Sequence, residues 1–251
     1  MHGMPLVGAT GPVKLAGSMV VNNAEVLSCL VVIQLDRLGS PVIYSAGIAA
    51  FDMKALTRAG GGPEHALTGT ASGELTRYYG MPSIVGGFGS RAKRLGAQAG
   101  YEKLTSGFPA MFSGCDMIAG IELINDCTTL AFEELVIDTE IVRVVFRLTQ
   151  GIEVNSDTLV LDIIRKIGPG GDFLAENHTL DYLRKEHFIP ELTDRRSYEA
   201  WLKDGAKDIV GKAKEKVRTT LGKHQHESLG KNVHREIQDI IVRAKSDLIE
   251  H

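Results

Sequence analysis

The run Met81-Pro82-Ser83-Ile84-Val85-Gly86-Gly87-Phe88-Gly89-Ser90 decides how the rest of the chain is read. A helix pattern stops at Gly80, a proline sets the chain direction, a short apolar stretch follows, and glycines end it. Glycine closes helices in the left-handed conformation. Proline ahead of a strand removes no ladder hydrogen bond. The pattern predicts a buried strand, Ser83–Gly87, between two helices. The same grammar recurs on both sides. Pro5–Gly8, Pro41–Ser45 and Met117–Gly120 read as strands, and Gly39-Ser40 precedes the second of them. Leu15–Leu35, Glu64–Tyr79, Ala92–Ser106 and Leu130–Leu148 read as the helices that follow. Short strands separated by helices of ten residues or more imply parallel pairing, because parallel neighbours need a crossover. The fold class is therefore α/β. Four such units suit half of an eight-stranded barrel or a small open sheet, and periodicity leaves both open.

Beyond about Gly168 the character changes. Glycine, 28 residues in all, is concentrated in the first half, and charge gathers in the second. Ser156–Ile167 reads as a helix, Gly168-Pro169-Gly170-Gly171 as a breaker, and Thr179–Glu186, Asp194–Leu221 and Val233–Ile249 as helices, with Asp194 as an N-cap.

With 251 residues, 43% hydrophobic and 24% charged, the chain buries a sizeable core. A net charge of −3 provides no basic footprint, which excludes nucleic acid as a partner. Cys29, Cys115 and Cys127 form no CxxC pair, so neither a disulfide framework nor a zinc site is legible. They are expected as small buried residues in a reducing, cytoplasmic setting. The apolar run Met19–Leu35 is interrupted by Asn22, Asn23, Glu25 and Gln34, too polar for a membrane span. It is expected to form a buried helix, and no membrane partner is expected.

In parallel βα folds, chemistry sits at the C-terminal strand ends. The segments there are Gly8–Pro12, Ser45-Ala46-Gly47, Gly86–Ser90 and Gly120, nearly free of charge and rich in glycine. Glycine admits a large flat ligand close to the backbone, so Thr10, Gly11, Ser45, Gly86, Gly87 and Gly120 are the candidate cofactor-facing residues. Tyr44, Phe51 and Phe88 are candidate aromatic faces for a cation. Asp52 and Glu64 are the carboxylates near the mouth, although Glu64 also suits a helix start. Asp116 precedes its strand, at the wrong end for catalysis. No GxGxxG, GxxxxGK or GxSxG frame occurs. His224-Gln225-His226 with His234 reads as a solvated polar stretch rather than a metal site, and His178 as a helix-start residue.

Together these motifs resemble those of the trimethylamine methyltransferase family. The resemblance rests on Gly8-Ala9-Thr10-Gly11-Pro12-Val13, Asn23-Ala24-Glu25-Val26-Leu27, Gly39-Ser40-Pro41-Val42-Ile43-Tyr44, Phe51-Asp52-Met53, Tyr78-Tyr79-Gly80-Met81-Pro82, Gly171-Asp172-Phe173-Leu174 with His178-Thr179, and Asp194-Arg195-Arg196 with Tyr198 and Trp201. It implies a TIM-type (β/α) barrel of which residues 1–168 are the C-terminal half, followed by a helical extension over 169–251. It also implies transfer of a methyl group from a tertiary or quaternary amine to the cobalt of a corrinoid protein. No cofactor is then bound directly; the methylcobamide (cobalamin) is presented by a partner docking at the mouth. Family members are longer and only their C-terminal half is matched, so a homo-oligomer, or a chain supplying the N-terminal half-barrel, is expected. The alternative is a non-catalytic half-barrel acting as a corrinoid-protein-binding or assembly subunit. The trimethylamine enzymes carry pyrrolysine at a strand end corresponding to Gly86–Phe88. Ordinary residues here resemble the non-pyrrolysine branch, which acts on quaternary amines such as glycine betaine.

Overall fold

The computed structural model describes residues 1–224 and 229–249. In chain order, β1 (His2–Gly3) and β2 (Leu6–Val7) precede α1 (Leu15–Asp36). Next, β3 (Tyr44–Ala46), β4 (Ala49–Asp52) and β5 (Thr57–Ala59) precede α2 (Pro63–Tyr79). β6 (Ser83–Gly86) leads to α3 (Ala97–Phe112). β7 (Met117–Ala119) and a hairpin of β8 (Leu123–Ile124) and β9 (Thr129–Leu130) lead to α4 (Phe132–Thr149). There follow α5 (Leu161–Ile167), α6 (Asn177–Glu186), α7 (Tyr198–Lys203), α8 (Ile209–Lys223) and α9 (Lys231–Ile249).

The main sheet has the order β1-β3-β6-β7, with every pair parallel. Spatial order thus follows chain order. The helices follow it too: α1 touches α2, α2 touches α3, and α3 touches α4. A doubly wound sheet carries helices on both faces because its strand order reverses at a switch point, and the order here has no reversal. A single helix layer over sequentially ordered parallel strands is consistent with a partial barrel. β1 and β7 each keep one edge without a strand partner among the described residues.

Small residues bring the layers together. A Cβ at Gly69 on α2 would lie 3.1 Å from both Gly86 O and Val85 Cγ1. One at Gly107 on α3 would lie 2.7 Å from the Phe88 ring. At the opposite end of the sheet, Ser83 N–H and Oγ–H donate to Asp116 Oδ2 at 2.8 and 2.9 Å. Asp116 is thus a brace between β6 and β7, at the N-terminal end of these strands.

Several expectations need correction. The first strand of the parallel sheet is His2–Gly3, while Leu6–Val7, inside the expected Pro5–Gly8, joins a second sheet, β2-β4-β5. The helix expected from Ala92 starts at Ala97, because Ser90 Oγ–H and Arg91 N–H donate to Glu102 Oε2 at 2.8 and 2.7 Å and hold the preceding loop. The helix expected over Ser156–Ile167 forms only from Leu161. The long helix Asp194–Leu221 is two helices, broken at Gly205 and Ala206, whose φ values are +84° and +50°. Ser197 caps the first of these, accepting from Ala200 N–H at 3.3 Å. Asp194 is no N-cap: it pairs with Arg196 and Lys212 at 2.6 and 2.8 Å. Cys29 and Cys127 are exposed and Cys115 half-buried, so the expectation of buried cysteines does not hold.

α1 is not a buried helix either. Its buried positions are Ser18, Asn22 and Val26, whereas Val20, Val31, Val32 and Leu35 are exposed. The inward face is polar because it meets hydroxyls: Asn22 Nδ2–H donates to Tyr44 OH at 3.2 Å, and Asn23 Nδ2–H to Tyr79 OH at 2.8 Å. With a mean hydropathy of 1.6, α1 is by length and composition apolar enough to cross a membrane, despite its four polar interruptions.

The chain divides into two compact units, Met1–Val217 and Arg218–His251. Within the first, Leu192 and Ala213 pack on Ile137 of α4. Glu140 of α4 accepts backbone N–H bonds from Glu191, Leu192 and Thr193 at 2.6, 2.7 and 3.0 Å. Burial raises that carboxyl, but the Thr193 hydroxyl, donating at 2.6 Å, and these backbone bonds outweigh it and hold the group below the usual range. The second unit holds α9, on which His234 lies. Gln225 and His226 lie outside the described residues.

Candidate functional site

Three loops converge at the C-terminal end of the sheet, and one carboxylate ties them. β3 runs into the β4–β5 hairpin, which lies between the expected strand Pro41–Ser45 and the expected helix Glu64–Tyr79. Antiparallel pairing sets Phe51 opposite Arg58. From β5 the chain passes through Gly60-Gly61-Gly62 directly into α2, with Pro63 at the first helical position. This short path brings Arg58 and His65 together. Asp126 comes from the turn between β8 and β9, where Asn125, Asp126 and Cys127 all have positive φ. Arg58 Nη1 meets Asp126 Oδ1 at 2.5 Å, and Arg91, from the loop after β6, meets Oδ2 at 3.2 Å. Arg91 Nη1 also donates to Arg58 O. Two guanidiniums share the Asp126 carboxylate, and Glu102, accepting from Ser90 and Arg91 N–H, is a second carboxylate beside them.

His65 sits in the first turn of α2 and is 4% exposed. Its Nδ1 accepts from Gly61 N–H at 3.4 Å, which leaves the proton on Nε2. Burial, and then the nearby Arg58 charge, lower its pKa to about 4, so the ring is neutral at physiological pH. His65 Nε2 and Arg58 Nε are buried without a hydrogen-bond partner among the described residues.

The structure gathers part of the residue set chosen from sequence. Ser45 Oγ is hydrogen-bonded to His2 Nδ1 at 2.5 Å, and burial and the Arg58 charge lower the basicity of that histidine as well. A Cβ at Gly86 would stand 2.7 Å from His65 Nε2. Gly86 thus neighbours His65 and Phe51 lies opposite Arg58, while Ser45 is tied to His2, on which the Arg58 charge acts. Glu64 stands beside His65 in the same helical turn, with Oε2 3.1 Å from where a Gly62 Cβ would lie. Asp52 ends β4, exposed, and accepts Lys54 and Ala55 N–H at 2.8 Å each, which holds its carboxyl below the usual range.

Other members of the set serve the framework. Tyr44 is fully buried beneath α1. Phe88 is buried at φ +52° with its ring on Gly107. Gly87 N–H donates to Ala119 O at 3.0 Å, and Gly120, at φ +111°, is packed so closely that a Cβ would run into Gly87 O. Thr10 Oγ1 accepts Leu6 N–H at 2.8 Å, and Gly11 N–H donates to Leu6 O at 2.9 Å, closing the turn before α1. Sequence reading missed Arg58 and His65. The available signal was the run Arg58-Ala59-Gly60-Gly61-Gly62-Pro63-Glu64-His65: a strand end, three glycines and a helix start with a histidine on the first turn.

The chain matches the profile of the family described as trimethylamine methyltransferase (MTTB) over residues 2–248. It is 38% identical over 94% of its length to trimethylamine methyltransferase MttB of Methanosarcina thermophila, covering 48% of that protein. It is 32% identical over 98% of its length to MttB of Desulfitobacterium hafniense strain DSM 10664, covering 50% of it. It is also 36% identical over 79% of its length to a glycine betaine methyltransferase of D. hafniense strain Y51, covering 42% of it. The chain spans about half the length of the curated relatives it matches. A profile match from residue 2 to residue 248, on a single layer of helices over sequential parallel strands, leaves one conclusion: this chain belongs to the trimethylamine methyltransferase family.

Proposed function

We propose that this chain forms part of the barrel of a methyltransferase that moves a methyl group from a quaternary amine to the cobalt of a corrinoid protein. The corrinoid is the partner's, and it docks at the C-terminal end of the sheet as a substrate. Further strands beside β1 and β7 complete the barrel. Cobalt(I) supplies the electron pair that forms the cobalt–carbon bond, and the carbon–nitrogen pair stays with nitrogen. A quaternary amine leaves neutral and needs no proton. A tertiary amine must carry a proton as its carbon–nitrogen bond breaks, so its site has to hold or return that proton.

The observation that carries the reading is the absence, among the described mouth residues, of an acid held ready near neutral pH. His65 is neutral, with its pKa lowered to about 4. Asp126 is ion-paired twice, and Glu102 accepts from Ser90 and Arg91. Such a site orients and does little acid–base work, and orientation alone supplies a large part of a rate enhancement. A cobalt(I) partner implies a reducing, cytoplasmic setting.

The test is methylation of a cobalt(I) corrinoid protein, followed by absorbance, with glycine betaine, proline betaine, carnitine and trimethylamine. It is run on the chain alone and on the chain combined with the N-terminal half of the glycine betaine relative. Methyl transfer from one of the quaternary amines is expected. Transfer from trimethylamine alone would overturn the quaternary reading, and no transfer in either format would favour the non-catalytic subunit.

A further inference from the structure

The last helix, α9, carries an apolar stripe along one side. At about 100° per residue, Val233, Ile237, Ile240, Ile241, Ala244 and Leu248 fall on one face of it. Val233, Ile237, Ile240, Ile241 and Leu248 are exposed. A helix of 19 residues is marginal by itself in water and takes most of its stability from covering such a face. Its charges do not suit a lipid surface. Lys231, Arg235, Arg243 and Lys245 are offset by Glu236, Asp239 and Asp247, whereas helices that lie on membranes are rich in cations on their polar side.

We infer that the stripe is covered by α9 of a second copy of this chain, running antiparallel to the first. The charges beside the stripe select both the partner and the direction. In a heptad frame with Ile237 and Ala244 at a, residues Val233, Ile240 and Asp247 fall at d, and Glu236 and Arg243 at g. Antiparallel helices bring g against g. With Ile237 layered on Ile240 and Val233 on Ala244, Glu236 of each copy then meets Arg243 of the other, and two-fold symmetry makes the pair twice. Parallel helices would bring g against e, where Ile241 and Leu248 offer Glu236 and Arg243 no charge. They would also stack Asp247 on Asp247 inside the seam, a like-charge contact that disfavours that arrangement. The antiparallel pair instead moves each Asp247 to an end of the seam. Glu236 and Arg243 are seven residues apart, beyond the three- or four-residue spacing at which neighbours on one helix interact. Arg243 Nε–H donates to Asp239 O at 3.2 Å, on the side of the helix that carries Glu236. The inference concerns assembly alone and does not depend on the methyl-transfer reading.

The test is the mass of the full chain in solution, by light scattering over a concentration series. Wild type is compared with Ile240→Glu, Glu236→Arg, Arg243→Glu and the double exchange of Glu236→Arg with Arg243→Glu. Wild type is expected to self-associate, and Ile240→Glu to halve the mass. Each single exchange sets like charges at both contacts and should raise the dissociation constant by about tenfold. The double exchange restores opposite charges between copies and should recover the wild-type constant. That recovery separates a contact between copies from an effect on the helix itself, and it holds the inference open to refutation if Ile240→Glu unfolds α9. A wild type that is monomeric at every concentration, a mass unmoved by Ile240→Glu, single exchanges without effect, or no recovery in the double exchange would overturn the antiparallel pair. A monomer whose α9 amides are protected from hydrogen exchange would overturn it too, and would assign the stripe to a surface of its own chain.

Discussion

Two charged clusters lie near the C-terminal end of this sheet, and they are built to opposite rules. At the mouth, Arg58 and Arg91 surround Asp126, with side chains 18–25% exposed. Between α3 and α4, Lys103 lies among Asp138 at 2.5 Å and Glu134 at 3.6 Å, with side chains no more than 1% exposed and a carboxylate left over. Asp138 also accepts Glu122 N–H at 2.8 Å, which ties the loop after β7 to the helix layer. Burial raises both of these carboxyls; the neighbouring Asp138 adds to the effect on Glu134, while Lys103 opposes it. Burial holds the dry cluster's carboxyls above their usual range, whereas the mouth cluster has donors to spare. A dry cluster of this kind specifies how helices pack. A half-wet one with unused donors is where a ligand belongs.

The sharpest way to break the contrast is Lys103→Met. It leaves two carboxylates in a dry interface and should cost about 3–5 kcal/mol at pH 7, measured by urea unfolding. A loss below about 1 kcal/mol would show that the cluster is wetter than described. Next comes Gly107→Ala, whose Cβ would meet the Phe88 ring at 2.7 Å; overpacking there should cost about 1–3 kcal/mol by thermal unfolding.

Glu134→Gln sharpens the contrast through pH. The folded-state pKa of Glu134 is raised, so between the unfolded value, about 4.3, and that raised value the native state holds more protons than the unfolded one. Stability therefore falls as pH rises through this window and levels off above it. The glutamine variant should flatten that slope and match or exceed wild-type stability near neutral pH; an unchanged slope would remove Glu134 from the account. The smallest effect is expected for Asp126→Asn, less than about 1 kcal/mol by urea unfolding, because the pairs it breaks are partly solvated. A loss as large as that of Lys103→Met would erase the distinction between the clusters.

How much of this was legible in the sequence varied with the physics involved. Glycine and proline punctuation carried the strand–helix alternation: Gly80 ends α2 in the left-handed conformation, at φ +64°, and Pro63 opens it. The place of Asp116 before a strand was legible, but its bracing of β6 against β7 was not. Apolar content misled for α1, since it says nothing about which face turns inward when the inner neighbours are the hydroxyls of Tyr44 and Tyr79. The β4–β5 hairpin escaped because Ala49-Ala50-Phe51-Asp52 has no alternation to read, and Arg58 and His65 escaped with it. The glycines were visible, but the groups that fill the space they leave were not. His65 stands beside Gly86, Ile118 beside Gly87 and the Phe88 ring beside Gly107, and each partner comes from a different element.

One measurement bears most directly on the division between site and scaffold: methyl transfer from glycine betaine to a cobalt(I) corrinoid protein, compared for wild type, Arg58→Met and Glu134→Gln in one assay. The account predicts that Glu134→Gln transfers at the wild-type rate, while Arg58→Met retains its fold and loses about tenfold or more in kcat/KM. Loss of transfer in Glu134→Gln with Arg58→Met unimpaired would contradict it.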